Sequence, residues 1–548
     1  MFALALDERY RAAVLDIGSN SVRLVVYHTG GRVPLVLFSE KATCRLAEGL
    51  SHGNNLLPER MSAALAILGR FRVLLDEMGV QERHVLGTAA LRMANNRQTF
   101  LEPAEALLGQ PIRVLAGEEE ARLSALGICC GFAHPVGLVG DLGGGSLELA
   151  VLTATGVAQT VSLPVGHRVC LEWLADHEGS IAALADWLQD VLETVDWLPQ
   201  VVGQPLYAIG GAWRQLAKYH MKRDQYPLKL VHGYTLSAGV LQQLCQPEQW
   251  PLRKANPVGD SAKANGKRKK SRAALMERDG QLLVGLLLMG LLAQRVRPTQ
   301  VVFSRYGLRE GCLYEPKARL LFEAAASPSS AKQEARLARN VATNNDPLLD
   351  TCGRLAPALG ASPPNRLELE LFLKDALESI RAKQAVGANK WNRLLPVLCW
   401  FADLGVWEGL DGPGRVAFDR MMSLPLPDIS HPERVFLALT LFARHTGQIA
   451  ERWLEPLVLW LGQDAATWAL QLGCLLRLAQ TLSARQVGVL TRRSVVFTAK
   501  GLVVQTDQLQ DPWLAGDAVA DCLAAVSAAF GQPIQVIELV GDTVPVKP

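Results

Sequence analysis

Two short stretches limit what this chain can fold into more than any other feature. DIGSNS (16–21) and DLGGGS (141–146) share one form, namely Asp, apolar, Gly, two small or Asn positions, Ser. They begin 141 − 16 = 125 residues apart. Each sits between apolar runs, AAVL (12–15) and VRLVVY (22–27) in the first case, VGLVG (136–140) and LELAVL (147–152) in the second. Runs of that length bounded by glycine read as strands. A strand–turn–strand stripped of side chains presents consecutive backbone N–H groups in a concave nest, which accepts phosphate oxygens. The closing Ser adds a hydroxyl. The leading Asp adds a carboxylate of the kind Mg²⁺ takes alongside water and substrate phosphates. One such turn has a purely steric explanation; two, in halves of matching rhythm, favour phosphate. Neither follows GxGxxG or GxxxxGK[ST], so the cradle is of another type.

That rhythm extends along both halves. SAALAILGRFRVLLDEMG (62–79) has helical spacing and ends at a glycine. RHVLGTAALR (83–92) reads as a strand entering a helix, PIRVLAG (111–117) as a short strand and EEEARLSALGICCG (118–131) as a helix. After the second turn, LYAIGGAWRQLAKY (206–219) again gives strand, glycine turn and helix. Residues 253–272 break the pattern with eight Lys or Arg, and 326–335 reads as a linker. From about 335 to 490 the chain is rich in Leu, Ala and Trp and is expected to be helical. VVFTAKGLVVQT (495–506) and PIQVIELVG (533–541) alternate as strands around a helix at 515–530.

At 548 residues the chain has room for three or four domains, at ~100–200 residues each. Its formal net charge is only +3, so any polyanion must be met by a local basic surface. Ten cysteines, none in a CxxC pair, read as reduced intracellular thiols. Asp7, Glu8 and Arg9 interrupt the apolar start, so no signal peptide is expected. The apolar run at 282–293 is shorter than the ~20 residues that span a bilayer and reads as a core helix. The expected location is the cytoplasm, with peripheral membrane association left open.

DIGSNS (16–21), GTAALR (87–92), GEEEAR (117–122), DLGGGSLEL (141–149), AIGGAWRQLA (208–217) and GLREG (307–311) occur in that order. Together they resemble the exopolyphosphatase / guanosine pentaphosphate phosphohydrolase family, specifically over residues 12–315 and more weakly beyond. The resemblance implies an α/β fold with a duplicated actin-like core of the sugar kinase/Hsp70/actin superfamily. Its subdomains would be 1–133 and 134–320. A mostly helical HD-like domain (321–490) and a small C-terminal α+β domain (491–548) would follow.

The resemblance also implies roles. Glu120, the last acid before Ala-Arg in GEEEAR, matches the glutamate that positions the attacking water; from the residues alone Glu118, Glu119 and Glu120 are not separable, and acids suit a first helical turn anyway. Arg92, ending GTAALR, would reach the phosphates. Asp141 and Glu148 match metal-associated carboxylates. Period-two alternation puts Glu148 on the face of Ser146, and Asp16 is the first-turn counterpart. Gly18, Asn20, Ser21, Gly143, Gly144, Gly145 and Ser146 would supply donors, and Gly210 with Gly211 a third glycine turn. Ser19 is expected to point away, Arg122 to form a local ion pair, and Cys129 and Cys130 to lie in the core.

Expected cofactors are Mg²⁺, with Mn²⁺ and a monovalent cation admitted as alternatives. Lys267, Arg268, Lys269 and Lys270 read as a solvated loop or a polyphosphate contact. In CWFADLGVW (399–407), read as a helix, Asp403 stands where an HD domain keeps its aspartate. Ala402 replaces the histidine, and His431 and His445 read as structural, so no metal is expected there.

The expected function is exopolyphosphatase: Mg²⁺-dependent hydrolysis of terminal phosphoanhydride bonds of inorganic polyphosphate, by a homodimer without nucleic-acid partners or membrane spans. The alternative is removal of the 5′-phosphate of guanosine pentaphosphate (pppGpp), a step of the stringent response. A kinase of the same fold, an actin-like ATPase and a non-catalytic polyphosphate sensor are the other readings.

Overall fold

The computed structural model describes residues 8–31, 33–50, 53–245, 266–316, 346–381, 391, 393–407, 412–498, 501–506 and 514–538. The described residues divide into two compact units, one within Leu6–Thr343 and the other within Asn344–Pro548.

The first unit opens with strands β1 (Arg11–Ile17), β2 (Ser21–His28) and β3 (Leu35–Thr43). Helix α1 (Pro58–Glu77), β4 (Glu82–Gly87), α2 (Ala89–Met93), α3 (Arg97–Leu108) and β5 (Arg113–Val114) follow. Then come α4 (Gly117–Gly131), β6 (Gly137–Leu142), β7 (Leu147–Thr153), β8 (Gly156–Leu163), α5 (His167–Asp176) and α6 (Ile181–Glu193). Strand β9 (Leu206–Gly210), α7 (Gly211–Arg223), β10 (Thr235–Ser237), α8 (Ala238–Leu244), α9 (Gly266–Val296) and β11 (Gln300–Phe303) complete it, and residues 308–316 are helical.

The strands form two sheets, β3-β2-β1-β4-β5 and β8-β7-β6-β9-β11, the second extended by β10 at its edge. In each, an antiparallel three-stranded meander is continued by parallel strands. This is the duplicated, actin-like arrangement. The copies agree in detail. A β-bulge (an extra residue that increases local twist) lies opposite Val26/Tyr27 of β2, at Leu37 in β3, and opposite Val151/Leu152 of β7, at Ala158 in β8; the positions they face are 151 − 26 = 125 residues apart, the spacing of the glycine turns.

Helix α4 precedes the expected boundary at 133, yet it packs on β6, β7 and β8 of the second sheet. Backbones touch there. A Cβ on Gly127 would stand 2.2 Å from the Gly307 carbonyl oxygen, and one on Gly311 would stand 1.8 Å from that of Leu123. Only glycine permits that approach.

The apolar run at 282–293 belongs to α9, which is longer than expected. Asp279–Val296 is long and apolar enough to cross a membrane, but 61% of it is buried. Leu286, Leu288, Met289 and Leu292 lie in the core of the second half, and the Trp213 indole N–H donates to the Gly285 carbonyl at 3.1 Å. The helix starts at Gly266, so the backbone of the segment expected as a loop is helical from there. The side chains of Lys267, Arg268, Lys269 and Lys270 lie outside the described residues, as do 253–265 and the linker at 326–335. Cys129 and Cys130 are core residues, and all ten cysteines are free thiols.

The second unit holds α10 (Pro347–Ala358), α11 (Arg366–Arg381), α12 (Leu395–Trp400), α13 (Pro413–Ser423), α14 (His431–Thr446), α15 (Glu455–Leu461) and α16 (Gln463–Ser483). A sheet of β12 (Arg493–Thr498), β13 (Gly501–Thr506) and β14 (Ile534–Glu538) follows, with α17 (Asp517–Phe530) between its last strands. Helix α14 is buried almost throughout and begins with a capping box, Ser430 with Glu433. CWFADLGVW is not one helix: α12 ends at Trp400 and residues 401–407 form turns. The reason is local, since the Asp403 N–H bonds the Ala361 carbonyl at 2.9 Å rather than a helical partner.

Candidate active site in the N-terminal unit

The two glycine turns close with the same hydrogen bond. Gly18 N–H donates to the Ser21 carbonyl at 3.1 Å, and Gly143 N–H to the Ser146 carbonyl at 3.0 Å. The turns meet across a cleft of about 320 Å³. A Cβ on Gly145 would stand 3.1 Å from both Ser19 Oγ and Ala89 Cβ. Ser19, expected to point away, therefore lines the cleft, because the opposite turn comes close enough to need it as a wall. Gly210 and Gly211 form a third side. Gly210 has φ +101°, and a Cβ there would stand 2.3 Å from the Leu142 carbonyl oxygen, so a side chain is excluded twice over.

All of the expected turn residues line this cleft, as do Asp16, Glu120, Asp141 and Glu148. Arg92 does not. Its guanidinium turns inward, to Glu120 Oε2 at 2.8 Å, the Leu115 carbonyl at 3.1 Å and Ser162 Oγ at 3.4 Å. A segment preceding the second sheet thus carries both partners, Arg92 on α2 and Glu120 on α4. Arg122 pairs with Glu315 across 193 residues of sequence rather than locally.

Other cations face the cleft instead: Arg23, Lys41, Arg214, Arg305 and Arg309. Arg214 and Arg309 lie within the motifs AIGGAWRQLA and GLREG, but nothing in a single sequence distinguishes them from solvated surface charges. Burial, and then its neighbour Arg309, hold Arg214 below the usual guanidinium range. Arg309 bonds Asp16 at 2.7 Å. Asp16 is thereby paired with a cation, while its strand neighbour across the β1/β2 hairpin is Arg23.

The second turn is acidic where the first is mixed. Asp141 pairs in register with Glu148 across the β6/β7 hairpin. Asp141 accepts from Ser124 Oγ at 2.7 Å, and Glu148 accepts from Ser162 Oγ at 2.9 Å. The nearest cation to Glu148 is Arg92, at 3.9 Å. Burial raises the pKa of Asp141, and burial together with Glu120 and Asp141 raises that of Glu148 well above the carboxylate range. Burial lifts Glu120 to about 7, against the pull of Arg92. Three carboxyl groups that repel one another in a dry cleft are an arrangement seen at functional sites.

Sequence reading also missed His167. Its backbone N–H and its Nδ1 both donate to the Gly143 carbonyl, at 3.0 and 2.7 Å. Nε2 then accepts from Gln281 at 3.1 Å, and Gln281 in turn accepts from Gln215. This chain of bonds holds the second turn, and its members line the cleft themselves. VGHR (165–168) follows a strand without any recognisable signal, so only the fold exposes the role.

A duplicated α/β core with facing glycine turns, carboxylates and cations around one cleft is the actin-like class of fold with a lining suited to phosphate. Residues 24–319 match the Ppx/GppA phosphatase family and residues 378–536 match the family described as exopolyphosphatase, C-terminal. The chain belongs to the Ppx/GppA phosphatase family. Among solved structures it is similar to the Ppx/GppA family member of Aquifex aeolicus, at 22% identity over 57% of this chain and 98% of that one, TM-score 0.45. It is likewise similar to an exopolyphosphatase of Cytophaga hutchinsonii, at 22% identity over 56% and 97%, TM-score 0.47. A more remote similarity is to MreB5 of Spiroplasma citri bound to ADP, at 16% identity over 40% and 91%, TM-score 0.25.

Proposed function

We propose that the protein is a Mg²⁺-dependent exopolyphosphatase that releases orthophosphate from the end of inorganic polyphosphate. The observation that carries this reading is that facing glycine turns, five cations and the carboxylates Asp16, Glu120, Asp141 and Glu148 line one cleft. Phosphoanhydride hydrolysis needs charge neutralised on the phosphates and a water aligned and deprotonated. The cations Arg23, Lys41, Arg214, Arg305 and Arg309 hold successive phosphates, and the turn backbones hold the terminal one. Ionised Glu120 takes the proton of the attacking water. The P–O–P bond breaks, orthophosphate leaves, and the chain end is one phosphate shorter.

The donor set suits Mg²⁺, which takes one or two carboxylates with water and phosphate oxygens rather than a complete protein cage. Asp141 and Glu148 would hold it; among the described residues no larger ligand group closes around them. When bound, it neutralises the phosphoryl oxygens and relieves the repulsion between these two acids. Asp16, engaged by Arg309, would serve the ion through water. The lining has no Phe, Tyr or Trp among the described residues to stack a nucleobase, and the ring of His167 is held by Gly143 and Gln281. That favours the inorganic chain over guanosine pentaphosphate.

The test is orthophosphate release by the purified full chain, with Mg²⁺ and with chelator, from long-chain polyphosphate and from guanosine pentaphosphate side by side. Faster Mg²⁺-dependent release from the polymer is expected. Preference for the nucleotide, or equal rates with chelator, would overturn the substrate or the metal assignment respectively.

A further inference from the structure

The C-terminal unit has a cationic pocket of its own, of about 450 Å³, within the range of small-ligand sites at ~300–1,000 Å³. Arg444 and His445 of α14 form one wall. Arg477 of α16, with Gln480 and Thr481 one turn further on, forms the other, and Arg485 closes the end. Three guanidinium groups therefore converge. Behind them stands one acid, Asp403, whose Oδ1 contacts Arg444 and Gln480 at 3.3 Å and Arg485 at 3.4 Å. No carboxylate partner is found for Arg477 among the described residues.

Three features show a built site rather than a surface accident. Arg444 is 9% exposed, and its Nε is buried without a hydrogen-bond partner. His445 is held as a neutral ring, with Nε2–H donating to the Leu404 carbonyl at 2.8 Å and Nδ1 accepting from Arg444 at 3.0 Å. It thus orients Arg444 without adding charge. Ala484 and Arg485 both have left-handed backbone, φ +45° and +64°. For consecutive non-glycine residues that is costly and persists only where the surroundings impose it. Here it carries Arg485 back over the end of α16 to Asp403.

An excess of guanidinium in a concave, partly dry site suits a phosphate-type oxyanion, which the planar fork engages through two hydrogen bonds at once. We propose that this pocket is a second phosphate-binding site, in a different unit from the glycine-turn cleft, that takes the end of a phosphate chain or the phosphates of a nucleotide. In it Asp403 holds Arg444 and Arg485 in place.

The experiment is calorimetric titration of the full-length chain carrying Glu120→Gln, which slows turnover, at low salt and with chelator in place of Mg²⁺. Inorganic tripolyphosphate is the first probe and GTP the second. Two classes of site are expected for tripolyphosphate. Arg477→Gln should weaken one of them by about tenfold or more, as loss of a charged hydrogen-bond donor does, and leave the other unchanged. The unchanged class shows that this variant is folded, and Arg477→Lys, which keeps the charge, should restore part of the loss. Tighter binding of GTP at the Arg477-sensitive class would identify a nucleotide as occupant, and tighter binding of tripolyphosphate an inorganic chain. Binding in which no class responds to Arg477→Gln would overturn the proposal, whereas a single class weakened by Arg477→Gln would uphold it and count against phosphate binding in the first unit. The readout is stoichiometry and affinity, so it stands apart from whether the first unit hydrolyses polyphosphate.

Discussion

Arg23 in β2 and Glu148 in β7 occupy the same place in the two halves. They are 148 − 23 = 125 residues apart, and each lies across its hairpin from the leading aspartate of its turn, Arg23 from Asp16 and Glu148 from Asp141. A cation in one copy is replaced by a carboxylate in the other. The first turn is thereby left close to neutral and open to an anion, whereas the second accumulates negative charge that a divalent cation can offset. The duplication has kept the frame and reversed the sign of one position.

Glu148→Gln tests the acidic side. It should raise the Mg²⁺ concentration for half-maximal activity by ~10–100-fold, the scale for losing a metal-site group, while activity returns at high Mg²⁺. A Mg²⁺ titration of orthophosphate release checks this, and an unchanged midpoint would remove Glu148 from the metal site.

Glu120→Gln should lower kcat by ~10² or more, as for removal of a positioned base, with polyphosphate binding retained. The wild-type rate should also fall as pH drops through about 7, where the carboxyl takes up its proton. A pH–rate profile that is flat between pH 6 and 8 would contradict that assignment.

Arg92→Ala separates positioning from phosphate binding. Arg92 opposes the rise in the pKa of Glu120, so its loss should move the pH–rate inflection upward and reduce kcat with little change in KM. Arg92→Lys should recover part of the rate. An effect confined to KM would return Arg92 to direct phosphate contact.

His445 gives the C-terminal unit a pH dependence. Burial, and then Arg444, hold its pKa down to about 4 from an ordinary 6.5. The unfolded chain therefore binds a proton that the folded chain refuses. Stability is full above about 6.5 and is lost as pH falls towards 4. Urea midpoints of wild type and His445→Gln at pH 7.5 and 5 should show a smaller drop in the variant; equal drops would exclude His445 as the cause.

The glycine turns, the strands beside them and the helix of GEEEAR were legible because each is a local pattern: period two, period 3.6, or a turn that only small residues allow. What was not legible depends on contacts distant in sequence. Arg309 reaches Asp16 across 293 residues, which no spacing rule anticipates. Arg92 was read as facing phosphate because arginine so often does, but the partner that turns it inward sits on a different helix. Asp403 was placed on a helix by its apolar neighbours, whereas a single backbone bond to Ala361 ends that helix first.

Helix α4 belongs to the first half by sequence, but through Gly127 and Gly311 it is pressed against the second. Its apolar face shares one core with Val14, Val25 and Tyr27 of the first sheet and Val139 and Ala150 of the second. The 2.8 Å bond between Arg92 and Glu120 is then a rivet through the middle of the unit, fastening the helix that follows β4 to the one that carries the candidate base.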